Sequence, residues 1–348
     1  MKRFTLFIIT LTLTILQIAA QDTSIKGTIT LSHQGNETDF AYNEMTKVMD
    51  AAADGDTVYL STGYFQGDFI MTKKLAFIGS GADSDKGWNN CTCYDGKIVI
   101  NLPENTILTS RLFDGIYFYD NNNNSINFKS TIDNIIFRKC RLDFNDKWNI
   151  ISEVVKMIID RCDLRFWRNS SKNLKKLVVR NCNVRSLYID GDDPNSVTFY
   201  HCNISTPYFG DGNNNYYCRL EHTFINCIID NSVNQYLATP DNGNYSPSSP
   251  IFINCLYNKG DGSINTTAYC TMQNCYENSS PNKTNLMSFT KEDLLKNNYL
   301  GNDGTIVGMY GGKNPYTLSF GNKEVTNKVH LDRDKKQVQF NIKVTEKQ

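Results

Sequence analysis

The chain has no charge bias. Its 36 lysines and arginines balance 36 aspartates and glutamates over 348 residues, which leaves no electrostatic footprint for a nucleic acid or another polyanion as partner. Histidine is scarce. His33, His201, His222 and His330 are the whole complement, and they form no catalytic pattern. Long apolar runs are absent beyond the first twenty residues, so the mature chain has no segment able to span a membrane. Residues 1–20 themselves read as an export signal: Lys2 and Arg3, an apolar run over 4–18, then Ala19 and Ala20. An uncleaved anchor is the competing reading, but the run is short for a spanning helix. No cysteine follows the run, which argues against a lipid anchor. The mature protein is therefore expected outside the cytoplasm: secreted, at the cell surface or in a periplasm.

Cysteine, by contrast, is present eleven times, and seven of the eleven fall into one repeated phrase over residues 135–277. The copies read IIFRKCRL, MIIDRCDL, LVVRNCNV, VTFYHCNI, HTFINCII, PIFINCLY and CTMQNCYE. Their cysteines are Cys140, Cys162, Cys182, Cys202, Cys227, Cys255 and Cys275, at intervals of 22, 20, 20, 25, 28 and 20 residues. A period in that range is the mark of a solenoid. Positions five and three before each cysteine are apolar in nearly every copy and share a parity, as a strand with one buried face requires. The cysteine itself and the position two after it share the other parity. The inward register thus switches between minus three and zero, which a corner permits and a straight strand does not. Asn181, Asn226, Asn254 and Asn274 stand just before the cysteine in four copies, and asparagine tolerates the left-handed backbone of a one-residue corner. Two short strands meeting at a bend, coil after coil, make an all-β fold: a right-handed parallel β-helix of about ten coils.

These residues resemble the secreted β-helix proteins of the pectate-lyase-like superfamily, and especially its bacterial members. The resemblance covers roughly residues 37–280. Its most specific local match is DGDTVYLSTGYFQGDFIMTKKLAFIGSG over 54–81, which is similar to the opening coil of that superfamily. It implies the fold and leaves the activity open. The superfamily's lyases use calcium-binding carboxylates with an arginine or lysine base, and its glycosidases use grouped aspartates with Gly-His-Gly and Arg-x-Lys segments. This chain has no Gly-His-Gly, and its one Arg-x-Lys, from Arg333 to Lys335, lies outside the solenoid.

The domain plan is a signal over 1–20, a capped β-helix over 21–286, and a short helix with a hairpin over 287–348. An amphipathic helix over 40–53, with Asp39 as N-cap and Phe40, Met45, Val48, Met49 and Ala52 on its apolar face, is expected to cap the first coil. Thr290 and Asp293 form a capping box for a helix over 291–296 that is expected to cover the far end. Val338, Phe340, Ile342 and Val344 alternate in the hairpin. The cysteine ladder reads as a column of buried thiols. Pairwise oxidation is the alternative, since neighbouring coils lie about 4.8 Å apart, whereas a metal column is disfavoured because zinc needs converging ligands. Cys91 and Cys93 read as lying off the ladder in a loop, with Cys218 and Cys270 as other strays.

Candidate function sits in two insertions, 206–218 and 231–249, expected to leave their coils after plus two and to project from one side. They bring Tyr208, Phe209, Tyr216, Tyr217, Tyr236 and Tyr245 forward as a ligand-binding set, because exposed rings stack on sugars and loops on a rigid frame carry function. Packing of the same rings against the solenoid wall is the alternative. Asp192, Asp193 and Asp211, in acidic glycine turns, are the catalytic candidates. Such carboxylates act as acid and base in glycosidases or hold calcium, although Asp-Gly is also ordinary turn chemistry. No resident metal or cofactor is assigned. The expected function is an exported, non-catalytic β-helix that binds a polysaccharide or cell-surface component. The alternative is a polysaccharide lyase or glycoside hydrolase with a divergent acidic site.

Overall fold

The structure is a computed structural model that describes residues 25–83, 90–103, 112–119, 125–142, 148–164, 167–169, 173–189, 196–209, 222–230, 250–258, 271–278, 285–318, 323–332 and 337–346. The chain winds into a parallel β-solenoid. Its first sheet begins with an antiparallel pair, β1 (Thr28–His33) and β2 (Asn36–Ala41), laid beside β3 (Thr57–Leu60). From β3 the sheet continues in parallel through Ala76–Gly79, Phe113–Asp114, Ile132–Arg138, Val154–Asp160, Lys176–Arg180, Ser196–Tyr200, His222–Ile225, Ile251–Ile253 and Thr271–Gln273. A second sheet, from Gly63–Gln66 to Tyr276–Glu277, takes the positions just after the corner. A third is shorter and holds Phe69–Met71, Ile98–Ile100, Ile126–Phe128 and Trp148–Ile150. The described sheets hold 12, 11 and 4 strands, so no single coil count describes all three.

The corner is where the phrase places it. All seven residues before the ladder cysteines have positive φ, between 50° and 57°: Lys139, Arg161, Asn181, His201, Asn226, Asn254 and Asn274. Gly115 (φ 68°) does the same work one coil earlier, ahead of Ile116. The switch of register follows. Phe137, Ile159, Val179, Phe199, Phe224 and Phe252 point inward before the bend, and the first six ladder cysteines point inward after it, all essentially buried. Stacking of like on like deepens the packing. Phe199 and Phe224 lie 4.9 Å apart with rings 4° from parallel, and Phe224 and Phe252 also lie 4.9 Å apart. Offset aromatic pairs of this kind add ~0.5–1.5 kcal/mol beyond area burial.

The described cysteines are free thiols. Cys140 N–H points at Cys162 Sγ (3.4 Å) and Cys162 N–H at Cys182 Sγ (3.3 Å), while each thiol donates to carbonyls of its own corner and the coil before. Burial pushes the Cys162, Cys202 and Cys255 thiols well above their ordinary value. Cys91 and Cys93 correct the expected loop. Thr92–Asp95 is a strand of the second sheet, and both cysteines are buried. In that coil Thr92 occupies the corner, and its hydroxyl donates to Ser61 O (2.8 Å) where other coils carry a thiol.

Both expected caps are redrawn. Helix α1 spans Met45–Ala51 rather than 40–53. Asp39 and Phe40 belong to β2, where they pair with Thr30 and Ile29, and Thr30 Oγ1 bonds Asp39 Oδ1 (2.7 Å). Strand pairing has overridden the helical period there. Met45, Val48 and Met49 still bury the expected face, and the antiparallel β1–β2 pair extends the first sheet beyond its opening coil. At the other end, helix α2 (Lys291–Lys296) carries the predicted capping box of Thr290 and Asp293. It does not close the last coil. Residues 285–318 run back along the second sheet as a strap. Leu286, Phe289, Leu294, Tyr299, Ile306 and Val307 pack on Ile228 and Leu256, and Leu318 O accepts from Ala82 N–H, near the opening coils (3.3 Å). The alternating hairpin is present as Lys323–Asp332 paired with Gln337–Glu346.

Among the described residues five before a ladder cysteine, His222 is the polar one, level with Val197. It is fully buried and neither ring nitrogen has a hydrogen-bond partner. Burial pushes its pKa down to about 3, from an ordinary 6.5. The folded protein thus refuses a proton that the unfolded chain accepts below pH 6.5, so the related stability is intact above 6.5 and drains away as pH falls towards 3. Urea midpoints should show this: between pH 7 and 4.5 the wild type loses ~2–3 kcal/mol that His222→Leu does not lose. Equal acid sensitivity in the two proteins would count against the buried neutral ring.

The corner gives a second test. At Asn254 (φ 51°), which has an unpartnered buried Oδ1, Gly should stay within ~1 kcal/mol of wild type, whereas Val should cost ~2 kcal/mol or more. Thermal melts of the two variants compare the costs directly.

Candidate functional site

The predicted site residues fall mostly outside the described residues: Asp192, Asp193, Asp211, Tyr216, Tyr217, Tyr236 and Tyr245 all do. Tyr208 and Phe209 are placed, and they correct the expected exit after plus two. Strand Asn203–Phe209 continues beside Asn183–Ile189, with Tyr208 level with Tyr188 and Phe209 level with Ile189. The β-branched and aromatic residues of both segments extend the ladder before either leaves it.

Three surfaces can be built from the residues upward. The first is the outer face of the first sheet at minus two, where Asp114, Arg138, Asp160 and Arg180 are neighbours on successive strands. Arg138 pairs with Asp114, and Asp160 receives Arg161 and Arg180, each at 2.8 Å. After the corner, Asp163 sits 3.6 Å from both Arg141 and Arg185 and accepts from Asn183 Nδ2 (2.9 Å). Arg185 is thus engaged with a buried carboxylate. These aspartates hold guanidinium groups in place.

The second surface is the corner column under the strap. Asn181 Nδ2 donates to Gly311 O (2.8 Å), Asn203 Oδ1 accepts from Met309 N–H (2.9 Å), and Asn226 bonds Asn302 through both side-chain atoms (2.9 and 3.1 Å). His201 Nε2 lies 3.0 Å from Asp303 Oδ2. Burial works to raise the Asp303 pKa but is outweighed by hydrogen bonds from Thr305 and by His201, so the carboxyl sits below its ordinary value. The fit leaves no room for side chains. A Cβ on Gly308 would lie 2.5 Å from Asn203 Oδ1, and one on Gly311 would lie 2.6 Å from His201 Nδ1 and would also collide with Ile306 O within the strap. Asn181 and Asn226, which turn the chain, therefore also dock the strap, helped by Asn203 one residue past the ladder cysteine.

The third surface is open. Along the third sheet, α1 and the first two coils enclose a groove of about 670 Å³, floored by Met49, Phe69, Ile70 and Val99 and rimmed by Thr46, Asp50, Asp68, Lys73 and Lys97. Ile70 is 56 % exposed on that floor. Lys73 Nζ is turned onto the C-terminal carbonyls of α1, Met49 O (2.9 Å) and Ala52 O. At Thr72 the groove meets a second cavity of about 630 Å³, lined by Asn101, Leu102, Pro103, Lys129, Ser130, Thr131 and Ser152. Sequence reasoning missed this surface. Its signal is the set of short strands FIM, IVI, INF and WNI, each apolar at its first and third positions.

Among the described residues no helix is long and apolar enough to cross a membrane, and no group of three or more His, Cys, Asp or Glu is placed to hold a metal ion. Compared with protein families, curated proteins and solved structures, the chain matches none.

Loosening the strap tests the second surface. Gly311→Val should raise amide exchange across 285–318 by about tenfold or more, about 1.4 kcal/mol of local opening. Exchange in the strands around Phe199 and Phe224 should stay near wild type. Unchanged exchange in the strap would show that the docking is not what holds it.

Proposed function

We propose that this chain is an exported, non-catalytic β-solenoid that binds a glycan or another surface component. The observation that carries the reading is the open groove on the third sheet, in which an apolar floor is rimmed by hydroxyl, amide and charged side chains. Sites that hold a ligand by a mostly apolar bed and a few polar groups have this composition, and stacked strands make the bed rigid without any ligand present. Two sequence features support the same reading: the signal-like residues 1–20, and the resemblance of the repeat and of residues 54–81 to secreted β-helix proteins of the pectate-lyase-like superfamily. The aromatic insertions 206–218 and 231–249 add a second contact region in this scheme. The enzymatic alternative, a lyase or hydrolase, rests on Asp192, Asp193 and Asp211.

A panel of neutral and acidic polysaccharides, with and without calcium, separates the two. Retention on at least one polymer with no new reducing ends and no unsaturated products is the expected result. Product formation that vanishes in Asp192→Ala plus Asp193→Ala would make the protein an enzyme and overturn the proposal.

A further inference from the structure

We propose that the protein pairs tail to tail with a second copy of itself, through the open end of its last coil. This goes beyond the glycan-binding reading and does not rest on it. The core is unfinished at that end. Phe252 and Cys255, inward residues of the coil before, are 1 % and 0 % exposed, whereas their successors Met272 and Cys275 are only half-buried. The backbone is unfinished too. Asn254 N–H donates to Gln273 O (2.8 Å) and Cys255 O accepts from Tyr276 N–H (2.8 Å), and every earlier ladder corner likewise hands one donor and one acceptor to the coil after it. At the last corner the equivalent groups are Asn274 N–H and Cys275 O. Among the described residues, Thr271–Gln273 and Tyr276–Glu277 are the terminal strands of their sheets, and neither of those two groups meets a partner. A free strand edge over an open core is where a solenoid takes on another chain.

Chemistry and reach decide the occupant. The edge from Thr271 to Tyr276 carries no charge and no proline, the devices that keep natural edges apart. The opposite edge of the first sheet does carry them: β2 is exposed and holds Glu37 and Asp39. That blunted end excludes head-to-tail stacking, so assembly stops at two copies. The chain's own hairpin is too far away. Leu318 is bonded to Ala82 near the opening coils, and eight strand spacings of the first sheet, ~38 Å, separate Ala76–Gly79 from Thr271–Gln273. The hairpin begins at Lys323, at most ~18 Å of chain beyond Leu318. A second copy fits by symmetry. A two-fold axis at the corner sets each Asn274 N–H against Cys275 O of the other copy. It lays Thr271–Gln273 antiparallel over Tyr276–Glu277 of the other copy and closes both ends into one core. The two grooves beside α1 then lie at opposite ends of one rod.

Sedimentation equilibrium of the purified protein over a range of concentrations tests this. One coil's end is a small contact, so the pair should be weak, half-formed at roughly 10–100 µM, with no species above two copies. Over the same range, amide exchange across 271–277 should slow as concentration rises, while exchange across Asn36–Ala41 stays constant. Met272→Lys should weaken pairing at least about tenfold, or about 1.4 kcal/mol. Tyr59→Lys, at an exposed position near the capped end, should leave it unchanged, and thermal melts would establish that both variants fold. Should Met272→Lys not fold, the exchange pattern of the wild type decides. A protein still monomeric at about 1 mM, assembly beyond two copies, or a dimer whose protection falls outside the last coil would each overturn the proposal.

Discussion

A single backbone constraint organises this molecule: one residue per coil must turn through the left-handed region so that the inward register can switch between the two strands of the phrase. Each such residue costs ~1–2 kcal/mol unless it is glycine or has local compensation. The chain spends asparagine on four of the seven ladder corners and finds other support elsewhere. Arg161 lies against Asp160, and His201 faces Asp303 across the strap. Because the bend is fixed, Cys140 to Cys255 land one above another in the core and the phenylalanines three residues earlier stack ring on ring. Small thiols fit the crowded inside of a corner, and large rings fill the span between sheets.

The same corner residues have a second use that depends on the first. An asparagine in the left-handed conformation presents its amide outward, beside the chain, and Asn181 and Asn226 use those amides to hold residues 302–311. The strap then covers the first position after the corner, where Ile228 and Leu256 would otherwise leave an apolar stripe facing water. Polar bonds fix its register in the middle coils, and apolar packing secures it towards both ends. Gly308 and Gly311 are the points of closest approach. A frame built by local repetition is thus fastened by a long-range contact between residues more than a hundred positions apart.

Among the described residues, the third sheet is the face left uncovered. The first sheet spends its outward charges on neighbouring strands, and the second lies under the strap. The third, with α1 alongside, keeps a groove lined by apolar, hydroxyl and charged side chains.

The sequence by itself determined the solenoid. Alternation, the cysteine period and the asparagines before the cysteines are local signals, and each reports a local requirement: a buried face, a repeat length, a left-handed turn. The capping box at Thr290 and the hairpin at the C-terminus were legible for the same reason. Tertiary structure alone decided what depends on distant partners. Phe40 joined a strand because β1 lay within pairing reach, and Thr92 took a thiol's place at a corner that the phrase does not mark. Residues 285–318 turned back along the coils rather than over the last one, since only the stacked corners offer the amides and the apolar stripe they dock on. The groove likewise exists only once four separate turns are brought to one edge, which no stretch of sequence shows by itself.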